Sequence, residues 1–483
     1  MNFKLTHKAY IRILSVIWIL YGIYLISVVT KVDDMDIIYS VLLGGVVTHF
    51  SLFPFLKNWY KKGSPLLLDW FRLATFLFII LNFFNILDEL NTDSSAFRDY
   101  VIEKRYILPS VFVIFIGLIG LNIGEKLVIY FSGNSLLQNK NYVFKYSFVN
   151  FDFFAFVSII IAFIQIYLIL TGQIGYGVLQ ENTTSTFSFL FQFVIISSPL
   201  VLSIFTIFKY LYKYNGTIFN IVYVFYFFTQ IIYGFLSGMK ESIIVPFIIV
   251  LIPYLLGGYK IPKKLFYIGL VLGLLIYPLN DNYRTILNEM PTMSKNEAFL
   301  LATGKTFTIG LSDNITKGTG NFSDRLSLFP YLVYAVDKES SWTYYKNMDR
   351  YIYLPIAWIL PRAIIPDKPK SETGSVLNDM VYGRDTNSIS ATTYGWVYFE
   401  GGYFYVLFLF ILFGAFISYF QFKIGMHTFY GLVLYIGILV NLLKVENDVY
   451  FLISGILQGC LLSYIFYKIF IRQTKLKLIS KAN

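Results

Sequence analysis

Charge is scarce in this sequence: Asp, Glu, Lys and Arg make up 14% of its 483 residues, against about 25% in an ordinary soluble domain. Cysteine is scarcer. The single Cys460 lies inside an apolar run, which excludes a disulfide framework and a cysteine-based metal site. Three histidines are present, His7, His49 and His427, and none falls between 281 and 394. No GxxxxGK[ST] phosphate loop, no HExxH and no serine-nucleophile motif occurs. The nearest approach to a paired-aspartate metal motif, "DDMD" at 33–36, reads as a short solvated turn. The net charge of +11 does not indicate nucleic acid, because the cations form no patch interleaved with stacking aromatics in a polar domain.

Apolar surface fills the space these residues leave. Hydrophobic residues make up 57% of the chain and aromatics 20%, more than a soluble core can enclose. Roughly 20 apolar residues cross the hydrocarbon layer as a helix. Runs of that order stand near 9–29, 37–56, 65–87, 107–131, 147–171, 187–212, 218–238, 242–259, 265–280, 395–420, 428–443 and 449–469. The expectation is an all-α polytopic membrane protein with about 12 transmembrane helices. The first run is too long for a signal peptide and lacks a small-residue cleavage site, so it reads as an uncleaved span. Counted in this order, the loops on one side carry 19 Lys or Arg and the short loops on the other carry 6. The positive-inside rule then places both termini in the cytoplasm.

One segment stands apart. Residues 281–394 form an outer loop of 114 residues with 12 cations and 12 anions. It divides the chain into a membrane part at 1–280, the loop at 281–394, and a last membrane part with a basic tail at 395–483. Within the loop, "LSLFPYLVYAV" (326–336) and "RYIYLPIAWIL" (350–360) are apolar but too short to span, which predicts re-entrant or interfacial segments. Tyr351, Tyr353 and Trp358 carry rings that suit headgroup depth. The stretch "ILPRAIIPDKPKSETG" (359–374) follows, bracing Arg362, Lys368 and Lys370 with three prolines. Cations so placed suit a phosphate or pyrophosphate on a lipid carrier. They equally suit ordinary anionic headgroups, or pairing with Asp367 and Glu372.

The segments "SGMKESIIVPFIIVLIPYL" (237–255), "NDNYR" (280–284), "FSDRLS" (322–327), "LPRAIIPDKPKSETG" (360–374) and "TTYGWVYFEGGYF" (392–404) occur in an order that resembles the bacterial O-antigen polymerases, the oligosaccharide repeat-unit polymerases. The resemblance covers roughly 235–415. It implies a fold like that of the membrane-embedded, GT-C-like glycosyltransferases that take lipid-linked donors. It implies a polymerase that joins polyprenyl-pyrophosphate-linked repeat units at the outer face of the bacterial cytoplasmic (inner) membrane, for lipopolysaccharide, capsule or another surface polysaccharide. Its partners would be the lipid-linked donor and acceptor, membrane lipids, a chain-length regulator and a flippase. The chain offers Lys240 where the family often has Arg, and the outer loop lacks the His that the related ligases favour.

Such a transfer needs fixed cations for the leaving pyrophosphate and a positioned carboxylate for the acceptor hydroxyl. Lys240, Arg284, Arg325, Arg350, Arg362, Lys368 and Lys370, with Tyr394, are candidates for binding. Asp281, Asp324, Asp367, Glu372 and Glu400 are candidates for the base, with Glu400, Asp324 and Glu372 the foremost; no metal or other cofactor is called for. Glu400 reads as lying two turns into a span, facing a polar cavity, because an ionisable group in a membrane helix costs about 2.5–3.5 kcal/mol or more. Asp69 and Arg72, three apart in the third run, are placed to pair with each other. Two other readings stay open: a flippase or other transporter of lipid-linked oligosaccharide, and an O-antigen ligase-like transferase.

Overall fold

The computed structural model describes residues 5–32, 34–63, 65–81, 83–84, 96–97, 100–101, 103–132, 142–171, 173, 188–238, 240–260, 278–280, 282–287, 289–290, 293–308, 328–342, 349–352, 373–383, 389–423 and 428–477. The chain is an all-α polytopic membrane protein. In order, the long apolar helices begin with α1 (His7–Lys31), α2 (Met35–Lys62) and α3 (Leu67–Thr75), which runs on through a π-helical turn at Phe76–Ile80. They continue with α4 (Ile107–Ser132), α5 (Phe151–Leu170), α6 (Ser188–Tyr210), α7 (Thr217–Leu236) and α8 (Lys240–Leu256). Among the described residues, the long loop carries a helical stretch at 282–287 and then α9 (Lys295–Thr308), α10 (Phe329–Asp337), α11 (Asp349–Ile352) and α12 (Thr373–Tyr382). The chain closes with α13 (Thr392–Lys423), α14 (Phe429–Leu442) and α15 (Val449–Phe470). Among the described residues, eight helices are long and apolar enough to cross a membrane, and α8 and α14 supply shorter apolar helices. Eleven of the twelve apolar runs coincide with helices; the other, 265–280, lies almost wholly outside the described residues.

Two apolar cores hold the bundle together. One gathers α2, α3, α4, α10 and α13; the other gathers α5, α6, α7 and α8; side chains of α14 and α15 enter both. In hydrocarbon, helices gain little from hiding apolar side chains, so close backbone approach and interhelical hydrogen bonds decide their association. The α4–α13 contact uses the first device. A Cβ added at Gly120 would stand 2.8 Å from the Leu407 carbonyl oxygen, and one at Gly124 only 2.2 Å from that of Ile411. From the facing side, Gly414 meets the Leu121 carbonyl at 2.6 Å. The α5–α6–α7 contact uses the second: Gln230 Nε2 donates to Gln165 Oε1 at 2.8 Å, and Ser198 Oγ donates to the same oxygen at 2.8 Å.

The run at 395–420 departs from the expectation of one continuous span. Gly401 and Gly402 leave the helical region, Gly402 at φ 68, ψ −155, a conformation that side chains disfavour. The chain reverses there. Tyr394 stacks on Phe410 with centroids 4.6 Å apart, and Tyr398 meets Tyr403 at 5.1 Å. In an unbroken helix Tyr394 and Phe410 would stand about 24 Å apart. Residues 392–400 therefore fold back along 403–410, and only the second arm is long enough to cross.

The two ends of the bundle differ. A short antiparallel pair, β1 (Ala96–Phe97) and β2 (Tyr100–Val101), precedes α4; at one end of the bundle β3 (Tyr142–Phe148) and β4 (Ile471–Lys477) pair as an antiparallel ribbon. The ribbon lays Tyr146 and Phe148 on the ends of α6 and α14, with Phe148 stacked 4.1 Å from Phe208. The opposite end carries the described parts of the long loop. Segments assigned to one side by the cation bias thus meet in space.

The glycine contact makes a direct prediction. Gly124→Val should lower the thermal unfolding midpoint in detergent, since overpacking costs about 1–3 kcal/mol and the obstacle is backbone. Gly437→Ala, where an added Cβ meets nothing within 4 Å, should leave the midpoint unchanged or raise it by less than about 1 kcal/mol equivalent.

Candidate functional site

At the loop end three charged side chains from distant segments meet in the interior. Arg350 comes from the one-turn helix α11, Glu400 from the last position before the hairpin reversal, and Asp448 from the residue preceding α15. One guanidinium nitrogen of Arg350 pairs with Glu400 Oε1 and the other with Asp448 Oδ2. All three residues are 2% exposed.

Local sequence explains each position. Asp448 is the N-cap of α15, accepting from the Tyr450 backbone N–H at 2.8 Å, so one oxygen holds the helix end and the other faces Arg350. Gly401 and Gly402 permit the reversal that brings Glu400 to the tip; a Cβ on Gly401 would lie 2.0 Å from the Tyr405 ring. The first arm is fixed by the segment before Asp448. Thr393 Oγ1 donates to the carbonyls of Val445 at 2.9 Å and Asn447 at 2.7 Å, and Trp396 Nε1 donates to that of Glu446 at 3.2 Å. Trp342 stacks on Phe399 at 4.4 Å and seals the flank.

Two carboxylates share one guanidinium, so the formal charge of the trio is −1 in a site closed to solvent. Tyr351 lies beside it, its ring 6.2 Å from Tyr450. Burial and then the Asp448 carboxylate push its phenol well above the ordinary value, against the opposing effect of Arg350. The phenol therefore stays protonated and can donate. Glu400, in turn, is held through Oε1 by the Arg350 guanidinium, and a positioned carboxylate is what a general base requires.

The structure places the candidates from the sequence as follows. Glu400 sits at a helix reversal, enclosed by ion pairs, and not two turns inside a span facing a polar cavity. Arg350 is buried between carboxylates, so its guanidinium is committed within the protein. Tyr351 is half-buried beside the trio. Tyr394 is fully enclosed in the hairpin, its hydroxyl 3.1 Å from Thr75 Oγ1. Arg284 is half-buried on the helical stretch 282–287. Lys240 opens α8. Asp281, Asp324, Arg325, Tyr353, Trp358, Arg362, Asp367, Lys368, Lys370 and Glu372 lie outside the described residues. Among the described residues no group of three or more His, Cys, Asp or Glu is arranged to hold a metal ion.

A second ionic cluster ties the ribbon end. Arg72 bridges Asp69 at 3.1 Å and Glu125 at 2.6 Å, and donates to Asn122 at 2.7 Å. Asp69 also accepts from Asn58 and from the Leu66 backbone, while Gln421 accepts from the Leu67 N–H. The i, i+3 pairing of Asp69 with Arg72 expected from spacing is present. Glu125 is the partner the spacing could not supply.

Removing one member of a buried ion pair leaves an uncompensated charge, which costs about 3–5 kcal/mol. Arg350→Ala should therefore destabilise the detergent-purified protein by that order. Asp448→Asn should cost less, because the amide oxygen can still cap α15 and Arg350 keeps Glu400 as its partner. Thermal unfolding of the two variants beside the parent chain checks the ranking.

No family model matches the chain, and no curated protein and no solved structure matches it.

Proposed function

We propose that this chain is a metal-independent glycosyltransferase of the bacterial cytoplasmic membrane, with about 12 spans in a GT-C-like arrangement, both termini in the cytoplasm and the loop end outside. It joins polyprenyl-pyrophosphate-linked oligosaccharide repeat units into a long surface polysaccharide, moving the growing glycan from one lipid carrier to the acceptor hydroxyl of a second lipid-linked repeat. The observation that carries this reading is the gathering of Glu400, Arg350 and Asp448 at the end of the bundle that bears the long loop. A lipid-linked donor presents its pyrophosphate at that depth, and a carboxylate oriented by a guanidinium is suited to take the acceptor proton. Arg362, Lys368 and Lys370 supply the cations that stabilise the departing pyrophosphate, with Arg284, Arg325 and Lys240 as further contacts. Asp324 and Glu372 are the alternative bases.

The reversal at Gly401 and Gly402 supports a second reading. Discontinuous helices with charges at the break are a feature of transporters, which suits a flippase for the same lipid-linked substrate. Transporter sites cluster near the bilayer midplane, whereas this break lies at the loop end, and the first reading is preferred for that reason.

The two readings separate in cells lacking the chain. A polymerase defect leaves single-repeat product and abolishes the long ladder; a flippase defect strands repeat units on the inner leaflet. With the chain restored, Glu400→Gln should accumulate normally and add repeats roughly a hundredfold more slowly or worse, the scale of losing a general base. Arg362→Lys should be nearly as inactive as Arg362→Ala, because a lysine cannot grip two phosphate oxygens at once. Wild-type ladders from Glu400→Gln would remove Glu400 from the chemistry.

A further inference from the structure

Away from the trio, Asn280 is a buried carboxamide with no bonding task among the described residues. Asn280 is 1% exposed, yet neither its Oδ1 nor its Nδ2 meets a hydrogen-bond partner among the described residues. Tyr283 donates its hydroxyl to the Leu236 carbonyl at 3.0 Å, and Asn282 donates to Thr306 Oγ1 at 2.9 Å. Tyr283 and Ile286 pack with Ala298 and Ala302 of α9. Asn280 stands three residues before Tyr283 and four before Arg284.

The place is the loop end of the α5–α7 half of the bundle. Phe219, near the start of α7, contacts the ribbon residue Phe148, and Leu236 at the other end of α7 receives the Tyr283 hydroxyl. Asn280 thus belongs to the same end as Glu400 but to a different group of helices.

Buried polar atoms are almost always satisfied, and leaving both halves of a carboxamide unmet is costly. The missing partner is constrained by the amide itself, which offers two donors on nitrogen and an acceptor on oxygen. A phosphate or carboxylate only accepts and would leave Oδ1 bare. An ammonium only donates and would leave Nδ2 bare. A hydroxyl pair does both.

We propose that the Asn280 carboxamide is a sugar-recognition contact, hydrogen-bonded to neighbouring hydroxyl groups of the glycan carried by the lipid-linked substrate. This rests on the reading of the chain as a transferase of lipid-linked glycan. It adds a residue that selects among sugars, apart from the cations that bind pyrophosphate. Without ligand, an apolar side chain of similar size at this position relieves an unmet polar group. With ligand, the same change removes two hydrogen bonds. Stability and activity therefore move in opposite directions, which packing alone does not produce.

The test uses the full chain returned to cells that lack it, with Asn280→Leu and the nearly isosteric Asn280→Asp beside the parent. Thermal unfolding is measured on each protein in detergent and ladder synthesis in the cells. Asn280→Leu should melt at or above the parent temperature and add repeats at least about tenfold more slowly, on the scale of one lost hydrogen bond or more. Asn280→Asp, which loses the donors only, should also be slowed. Ladders within twofold of the parent from both variants would show that the amide serves packing or a buried water, and would overturn the proposal. A lower melting point and lost ladders in Asn280→Leu, with parental ladders from Asn280→Asp, would overturn it as well. If the parent chain itself fails to restore ladders, the transferase reading falls first and this proposal falls with it.

Discussion

Arg350 is the one positive charge that makes the loop end of this protein consistent. Glu400 and Asp448 are buried at the tip of the helical hairpin and at the start of α15, and two carboxylates cannot remain there together without a cation. The guanidinium also explains why so short a helix as α11 is held in place, since it reaches both partners from one turn of backbone. Its neighbours follow from it. The hairpin arm is clamped to residues 445–447 by threonine and tryptophan donors, and Trp342 closes over Phe399, because the ion pairs need an environment without water to be strong.

The opposite end repeats the device with different parts. Arg72 also stands between two carboxylates, Asp69 and Glu125, and carboxamides from α2, α4 and α13 complete its surroundings. Between the two clusters the bundle relies on close backbone contact at Gly120, Gly124 and Gly414. A membrane protein with so few charges thus concentrates several of them into two interior knots, one near each end. In a low-dielectric surrounding such knots fix register more than they add stability. The lower knot bonds only protein groups. The upper one adjoins the loop, which is where a substrate held at headgroup depth would arrive.

Much of the architecture was legible in the chain. Apolar runs of span length are unambiguous, and α1, α2, α4, α5, α7 and α15 follow them closely because nothing competes with a helix in hydrocarbon. The pairing of Asp69 with Arg72 was legible from spacing alone. The reversal at Gly401–Gly402 was half legible: the glycines and the glutamate drew attention, but the run is apolar on both sides, and hydropathy cannot distinguish one long helix from two folded arms. Arg350 and Asp448 were not found as partners. Their contact is set by tertiary packing across distant segments, and no local pattern encodes it. The proline-braced cations at 362–370 lie outside the described residues, so their role rests on chemistry and resemblance.

Arg350 and Glu400 act as one unit, and a double-mutant cycle measures that directly. Arg350→Met, Glu400→Met and the double variant are purified beside the parent chain and unfolded by heat in the same detergent. Coupled residues in one buried network show interaction energies of about 0.5–3 kcal/mol, and a fully enclosed ion pair belongs at the upper end. The expected result is that the double variant is clearly more stable than the sum of the single losses allows, because once Arg350 is gone the loss of Glu400 removes one of the two orphaned carboxylates and leaves only Asp448. Strictly additive losses would mean that the guanidinium and the carboxylate do not meet, and the loop would not be docked on the hairpin in the manner described.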